Sequence, residues 1–275
     1  MTLWTAPEVE TLRALWTVHG GGFKKIAKIM GRSRGSIDGK SRVLGLQFHG
    51  GRAVVLENDH PAIIEGRSLF PKRVVAPDGN VLKTGDNQRK LGRMIAKGKW
   101  KGFPVFSLSL EERATCPRTC LQWNSCYTNN MAHAKRYRHG IELEEQIWRE
   151  LWALQHKHPA GFVIRLHVAG DFPSVAYVDL WAAALDHFPA MRVFGYCAWK
   201  YQTPIGKAVI QLRNKHWDRF AIRTSGGVKG PRTVVFQQKP PPGVIPCPAQ
   251  SGKTASCSTC ALCWATTKAI GFRAH

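Results

Sequence analysis

The chain has 275 residues, 44% of them hydrophobic, and its 40 Lys and Arg stand against 18 Asp and Glu, a formal net charge of +22. That length allows one large domain or two smaller ones, and no apolar run approaches the ~18 residues a membrane helix needs, which excludes a helical membrane protein. A field of this sign attracts polyanions, so nucleic acid is the expected partner, because each neutralised phosphate releases counterions; an incidentally basic surface is the alternative.

The N-terminal Met1-Thr-Leu-Trp-Thr-Ala-Pro-Glu8 has neither a basic nor an apolar signal region. A cytoplasmic location is therefore expected, a reducing setting in which grouped cysteines serve as metal ligands more often than as disulfides. Thr5 with Glu8 three residues later reads as the start of a helix whose stripe is Leu12, Leu15 and Trp16, stopped by Gly20-Gly21-Gly22. Phe23, Ile26, Ala27 and Met30 repeat at helical spacing, Gly31 turns the chain, and Ser33 caps a third helix carrying Ile37, Ser41 and Leu44 inward. Trp4, Leu12, Trp16, Ile26, Ala27 and the run from Gly31 to Leu46 resemble the Myb/SANT-like helix-turn-helix family. That resemblance implies DNA as partner and the third helix as the reading element, with Arg32, Arg34, Ser36, Lys40 and Arg42 as candidate phosphate and base contacts. A three-helix bundle used for protein contact is the competing interpretation. Residues 1–50 are expected to form this small all-α domain.

From 51 to 102 the pattern is irregular and reads as a basic connector. Val74-Val75 and Val81-Leu82 flank Pro77-Asp78-Gly79 as a candidate hairpin, and Arg89 to Lys101 is either a nucleic-acid-facing arm or a solvated basic face. Beyond it the elements alternate. Strands are expected over 103–110, 162–168, 191–199, 219–224 and 233–238, and helices over 129–158, 174–187 and 204–214. Repeated strand-helix-strand units predict a parallel sheet, so residues 103–275 are expected to form an α/β domain built as an open or partial barrel. Sites in such sheets lie beyond the carboxyl ends of the strands. That rule gathers Cys116, Cys120 and Cys126, the Gly170-Asp171 turn, Cys197 and Ser225-Gly226-Gly227 at one rim. Asp171 there either contacts a ligand, as the candidate catalytic residue, or caps the helix beginning near Ser174. His167, inside a strand, reads as a core histidine.

The cysteines carry the chemistry. Cys116, Cys120 and Cys126 share one loop with three and then five intervening residues, and Cys247, Cys257, Cys260 and Cys263 form a C-x9-C-x2-C-x2-C pattern. Zinc sites favour two separated C-x2-C pairs, whereas successive cysteines at this spacing suit the corners of a cubane, so one or two 4Fe-4S iron-sulfur clusters are preferred over zinc; buried structural thiols are the bland alternative. The 18 acidic residues show no paired-carboxylate motif for two-metal hydrolysis.

The run Ser107 to Tyr127, then Arg165-Leu-His-Val-Ala-Gly-Asp-Phe172, then the closing cysteine pattern with Trp264, resembles the gene product 88-like proteins of phages and plasmids over about residues 85 to 275. More distantly, the order of cysteine loop, Gly-Asp turn and C-terminal cysteine extension resembles radical S-adenosylmethionine enzymes, although those use C-x3-C-x2-C. This second resemblance implies S-adenosylmethionine as a ligand and an iron without a cysteine partner, a position that Cys197 would close if it ligated. Two functions are expected to compete: a DNA-binding iron-sulfur protein acting as a radical-type modifying enzyme, and a non-enzymatic regulator stapled by, or sensing through, its metal.

Overall fold

Thr5 and Glu8 cap each other at the start of the chain: the Thr5 N–H and hydroxyl donate to the Glu8 carboxylate at 2.9 and 3.0 Å, and the Glu8 N–H returns to Thr5 Oγ1. From that box runs α1 (Ala6–His19), followed by α2 (Phe23–Met30) and α3 (Arg34–Val43). These belong to a computed structural model that describes residues 3–19, 23–44, 46, 54–88 and 90–274. Ser33 Oγ accepts the Ser36 N–H at 3.2 Å to open α3, and Leu12, Trp16, Ile26 and Ile37 are buried where the three helices meet. Gly20 to Gly22, the boundary near residue 50, Arg89 and the side chain of Arg42 lie outside the described residues.

The remainder is mixed α/β. In chain order it contains α4 (Pro61–Ile64), β1 (Val74–Val75), β2 (Lys83–Thr84), β3 (Val105–Ser107), β4 (Arg136–Tyr137), α5 (Ile141–Lys157), β5 (Phe162–Leu166), α6 (Val175–His187), β6 (Met191–Cys197), α7 (Pro204–Lys215), β7 (Phe220–Ser225), β8 (Arg232–Phe236), β9 (Ile245–Pro246), α8 (Cys257–Cys260), α9 (Leu262–Ala265) and β10 (Ile270–Arg273). One sheet runs β2-β3-β5-β6-β7-β8-β10-β9, and every pair in it is parallel except β2 with β3. Its ends β2 and β9 do not pair with each other, so no closed barrel forms among the described residues. A parallel neighbour normally needs a long return crossover. β8 avoids it by starting level with the end of β7, Arg232 opposite Thr224, which lets a short glycine-rich loop join them.

Alternation along the strands divides the interior. Phe162, Ile164 and Leu166 join one apolar cluster with Leu151, Trp181 and Val209 of α5, α6 and α7, while Val163, Phe194 and Ala221 join another with Leu91, Trp100, Cys257 and Trp264. Helices therefore cover one face of the sheet, and the cysteine-rich C-terminal segment with residues 91–100 covers the other. No helix among the described residues is long and apolar enough to cross a membrane.

Two expectations give way here. Val74-Val75 and Val81-Leu82 do not form a hairpin: β1 pairs with β4, and the N–H groups of Val81 and Leu82 donate to the buried Glu150 carboxylate of α5 at 2.5 and 2.8 Å. A charged acceptor on a helix outcompetes the neighbouring strand for these donors. The helix expected from residue 129 starts only at Ile141, because the preceding stretch is drawn in as β4, with Arg136 fully buried on Glu112 at 2.7 Å.

Candidate functional site

The loop carrying the first three cysteines is long and apolar-poor, and buried charge shapes it. Glu111, Glu112 and Arg113 follow directly on the 103–110 stretch and are all buried. Arg136 donates to Glu112 and to the carbonyls of Thr128, Met131 and Ala134; Ser68 Oγ donates to Glu112, and Arg67 donates to Glu111 at 2.8 Å. Arg113, at φ 66°, reaches across the loop to the Trp123 carbonyl and to Asn129 Oδ1 at 2.7 Å. Short turns then present the sulfurs: Cys116 N–H bonds Arg113 O, Cys120 N–H bonds Pro117 O, and Cys126 Sγ lies 2.9 Å from Thr128 Oγ1. Burial pushes the Cys116 thiol well up and Cys120 to about 11, and the negative charges of Asp171 and of the neighbouring cysteines add to both shifts.

The turn after β5 locks onto this loop. Gly170 has φ +79°, and a Cβ there would fall 2.6 Å from Thr115 Oγ1, so the approach itself requires glycine. Thr115 Oγ1 accepts the Asp171 N–H at 3.0 Å and donates to the Glu111 carbonyl. The Asp171 carboxylate does not cap a helix, since Ser174 does that for α6 through the Tyr177 N–H. It accepts from Phe172 N–H at 2.8 Å and from Ala198 N–H at 2.6 Å, tying the end of β5 to the end of β6. Burial lifts its pKa to about 7, against those two N–H groups and the Cys197 thiol, which also donates to it. Cys197 is 1% exposed beside Asp171, and burial pushes its thiol well up, with Asp171 and Cys116 adding to the rise. His167 is buried, with Nε2 3.2 Å from the Tyr177 hydroxyl, no partner at Nδ1, and a pKa pushed down to about 3 by burial.

The C-terminal cysteines sit on the other face of the sheet. Ser256 opens α8 through a capping box with Thr259, and Ala261, at φ 63°, turns directly into α9. Trp264 stacks on Trp100 at 5.2 Å and meets Phe194 at 4.7 Å. Arg223, fully buried, donates to the carbonyls of Cys263, Thr266 and Lys268 and so clamps the segment to β7. Cys263 Sγ lies 3.1 Å from the Tyr196 hydroxyl, and burial raises Cys257 to about 12.

Both groups reach one cavity of about 2450 Å³, through Cys116, Cys120 and Cys126 and through Cys247 and Cys257; Asp171 and Ser225 to Gly227 also line it. All eight cysteines are unpaired. Among the described residues no three or more Cys, His, Asp or Glu side chains converge closely enough to hold a metal ion as they stand. In donor number and softness the two groups still fit an iron-sulfur cluster or zinc, and thiols kept protonated by burial would give up protons to such a metal.

In the helical bundle Arg34 is exposed and Ser36 and Lys40 half-exposed on α3, with Lys40 Nζ 5.9 Å over the Trp4 ring. Arg32 is engaged within the bundle: it pairs with Glu8 at 2.8 Å and lies 4.2 Å over Trp4. Sequence reasoning missed Glu112, Arg136, Arg165 and Tyr196. The one available signal was Glu111-Glu-Arg113 standing directly before Cys116, an unusual concentration of charge beside an apolar strand.

The family model described as Gene product 88 matches residues 80–266, a span holding β2 to α9 and every cysteine. No curated protein and no solved structure matches the chain.

Proposed function

The chain belongs to the gene product 88 family, and from that premise we propose that it is a DNA-binding iron-sulfur protein of phage or plasmid type. In this reading α1 to α3 form a Myb/SANT-like helix-turn-helix, and the sheet is a partial barrel whose rim carries the chemistry. The observation that carries it is the grouping of seven unpaired cysteines in two sets that open on one cavity of a +22 chain. Cys247, Cys257, Cys260 and Cys263 would hold one cluster and Cys116, Cys120 and Cys126 another. A bound cluster would supply one-electron chemistry; a zinc ion in the same place would supply only a staple. This chain's own residues would orient the thiols through Glu112, Arg113 and Arg136 and keep the rim dry through the buried Asp171.

The burial of Cys197 beside Asp171 and Cys116 favours a second reading, a regulator with a closed cluster, over an enzyme with an open iron that would take S-adenosylmethionine. Anaerobic isolation with iron, sulfide and zinc analysis tests the proposal: iron and sulfide bound in proportion, lost in Cys257→Ala and Cys260→Ala, support it, and stoichiometric zinc alone in iron-replete protein refutes the cluster. Cys197→Ser separates the two readings, since a closed cluster loses iron on substitution and an open one keeps it. DNA affinity of the full chain should fall steeply with salt and weaken in Arg34→Ala and Lys40→Ala; salt-independent binding would remove the DNA half.

A further inference from the structure

The buried arginines differ in how far protein acceptors satisfy them, and Arg113 keeps Nη1 without a partner. Arg136 has Glu112 and three carbonyls, and Arg223 has the carbonyls of the C-terminal segment. Arg165 leaves β5 on the cysteine-covered face, opposite Ser107 of β3, and is 7% exposed. Its guanidinium lies 4.4 Å over the Tyr196 ring and 5.6 Å from that of Phe194, and Nη1 donates to the adjacent Leu166 carbonyl. Among the described residues no carboxylate pairs with it, its hydrogen bond to protein is the one from Nη1, and the side chain lines the cavity. A guanidinium in a cavity wall with no carboxylate partner leaves donors for an acceptor from outside the chain.

The surroundings narrow what that is. Among the described residues Lys83, Lys90, Lys200 and Lys229 line the same cavity, against the carboxylates of Asp38 and Asp171. Both Asp171 oxygens are already bound to backbone N–H groups. A wall with this excess of cations suits a group of more than one negative charge, and a planar guanidinium held flat by an aromatic ring presents its fork to two oxygens at once. We propose that Arg165 anchors a phosphate-binding subsite in the cavity, taking the phosphate group of a nucleotide. The phosphate comes either from a free nucleotide or from a nucleic-acid strand. The inference deepens the nucleic-acid reading above but does not depend on bound metal.

The test titrates the full chain, isolated anaerobically, with inorganic phosphate, AMP, a 5′-phosphorylated single-stranded oligonucleotide and acetate, by calorimetry. Saturable binding of AMP assigns a free nucleotide, and binding confined to the oligonucleotide assigns a strand. In either case Arg165→Gln should weaken binding about tenfold or more, and Arg165→Lys should recover part of it as a point charge. A shift of the Arg165 Nε resonance on adding phosphate to the unsubstituted protein gives a readout that needs no variant. Absence of phosphate and nucleotide binding, acetate binding as tightly as phosphate, or unchanged binding and fold in Arg165→Gln would overturn the subsite. Loss of DNA affinity in Arg34→Ala with the phosphate response intact would separate the bundle's role from the cavity's.

Discussion

The three-helix bundle closes on Leu12, Trp16, Ile26 and Ile37, whereas the sheet closes on two larger clusters, one on each face. Their polar ties differ in kind as well. Arg32 and Glu8 meet at the edge of the bundle with Glu8 one-third exposed, while Arg136 and Glu112 meet with neither side chain exposed at all. An exposed pair contributes at most ~1 kcal/mol, because solvent screens it and two long side chains must be ordered. A buried pair is different: the pair together gains little, but removing one partner strands the other charge in the interior. The bundle's ion pair can therefore be lost at small cost, and the buried pair of the sheet domain cannot.

Three experiments sharpen that contrast. Arg136→Met should have the largest effect, a loss of ~3–5 kcal/mol in global stability by denaturant unfolding, because Glu112 is left buried and unpaired. Conversely, Arg136→Met combined with Glu112→Leu should recover much of it; a single variant as stable as the parent would show that the frame does not hold the cysteine loop. Next comes Ile26→Ala, expected to cost about 2 kcal/mol or more by leaving a cavity in a core with few other members. Hydrogen exchange should show α1 to α3 opening while the sheet strands keep their protection, and equal loosening of both regions would erase the distinction. The smallest effect is the acid response of the bundle. Glu8 is held at about 2 against an ordinary value of 4.5, first by its hydrogen bond from Arg32 and then by the Thr5 N–H. A depressed carboxylate stabilises above its ordinary pKa and loses that contribution as the pH falls through its folded value. The Ile26 and Ile37 methyl signals should therefore report loosening between about pH 4.5 and 2 that Glu8→Gln largely removes; an unchanged profile in the variant would show that Glu8 is not the titrating group.

Much of this architecture was legible because its determinants are local. The Thr5 and Ser33 caps, the proline at the start of α7, Ser174 before α6 and the apolar runs of β5, β6 and β7 all act within a few residues of where they stand, and the elements appear within a residue or two of their expected ends. The grouping of Cys116 to Cys126 with Asp171 and Ser225 to Gly227 also followed from a general property of parallel sheets. The hairpin expected around Pro77-Asp78-Gly79 was not legible as false, because its competitor was the Glu150 carboxylate on α5, far along the chain. Asp171 shows the same limit: position alone allowed a helix cap, and its carboxylate instead bridges to Ala198 across two strand ends while lining the cavity.

The sequence by itself determined the periodicities, the turns and caps, the two cysteine groups and the sign of the charge, since each depends on side-chain chemistry and neighbours a turn or a pleat away. Only the tertiary structure decided that Arg136 would close on Glu112, that the C-terminal cysteines would lie against the sheet face opposite α5 to α7, and that Arg165 would line a cavity with no carboxylate partner among the described residues. Those outcomes depend on which strands pair and in what register, because shifting one residue along a strand exchanges its two faces. The energy that sets the register comes from contacts between segments tens to more than a hundred residues apart, which no local pattern records.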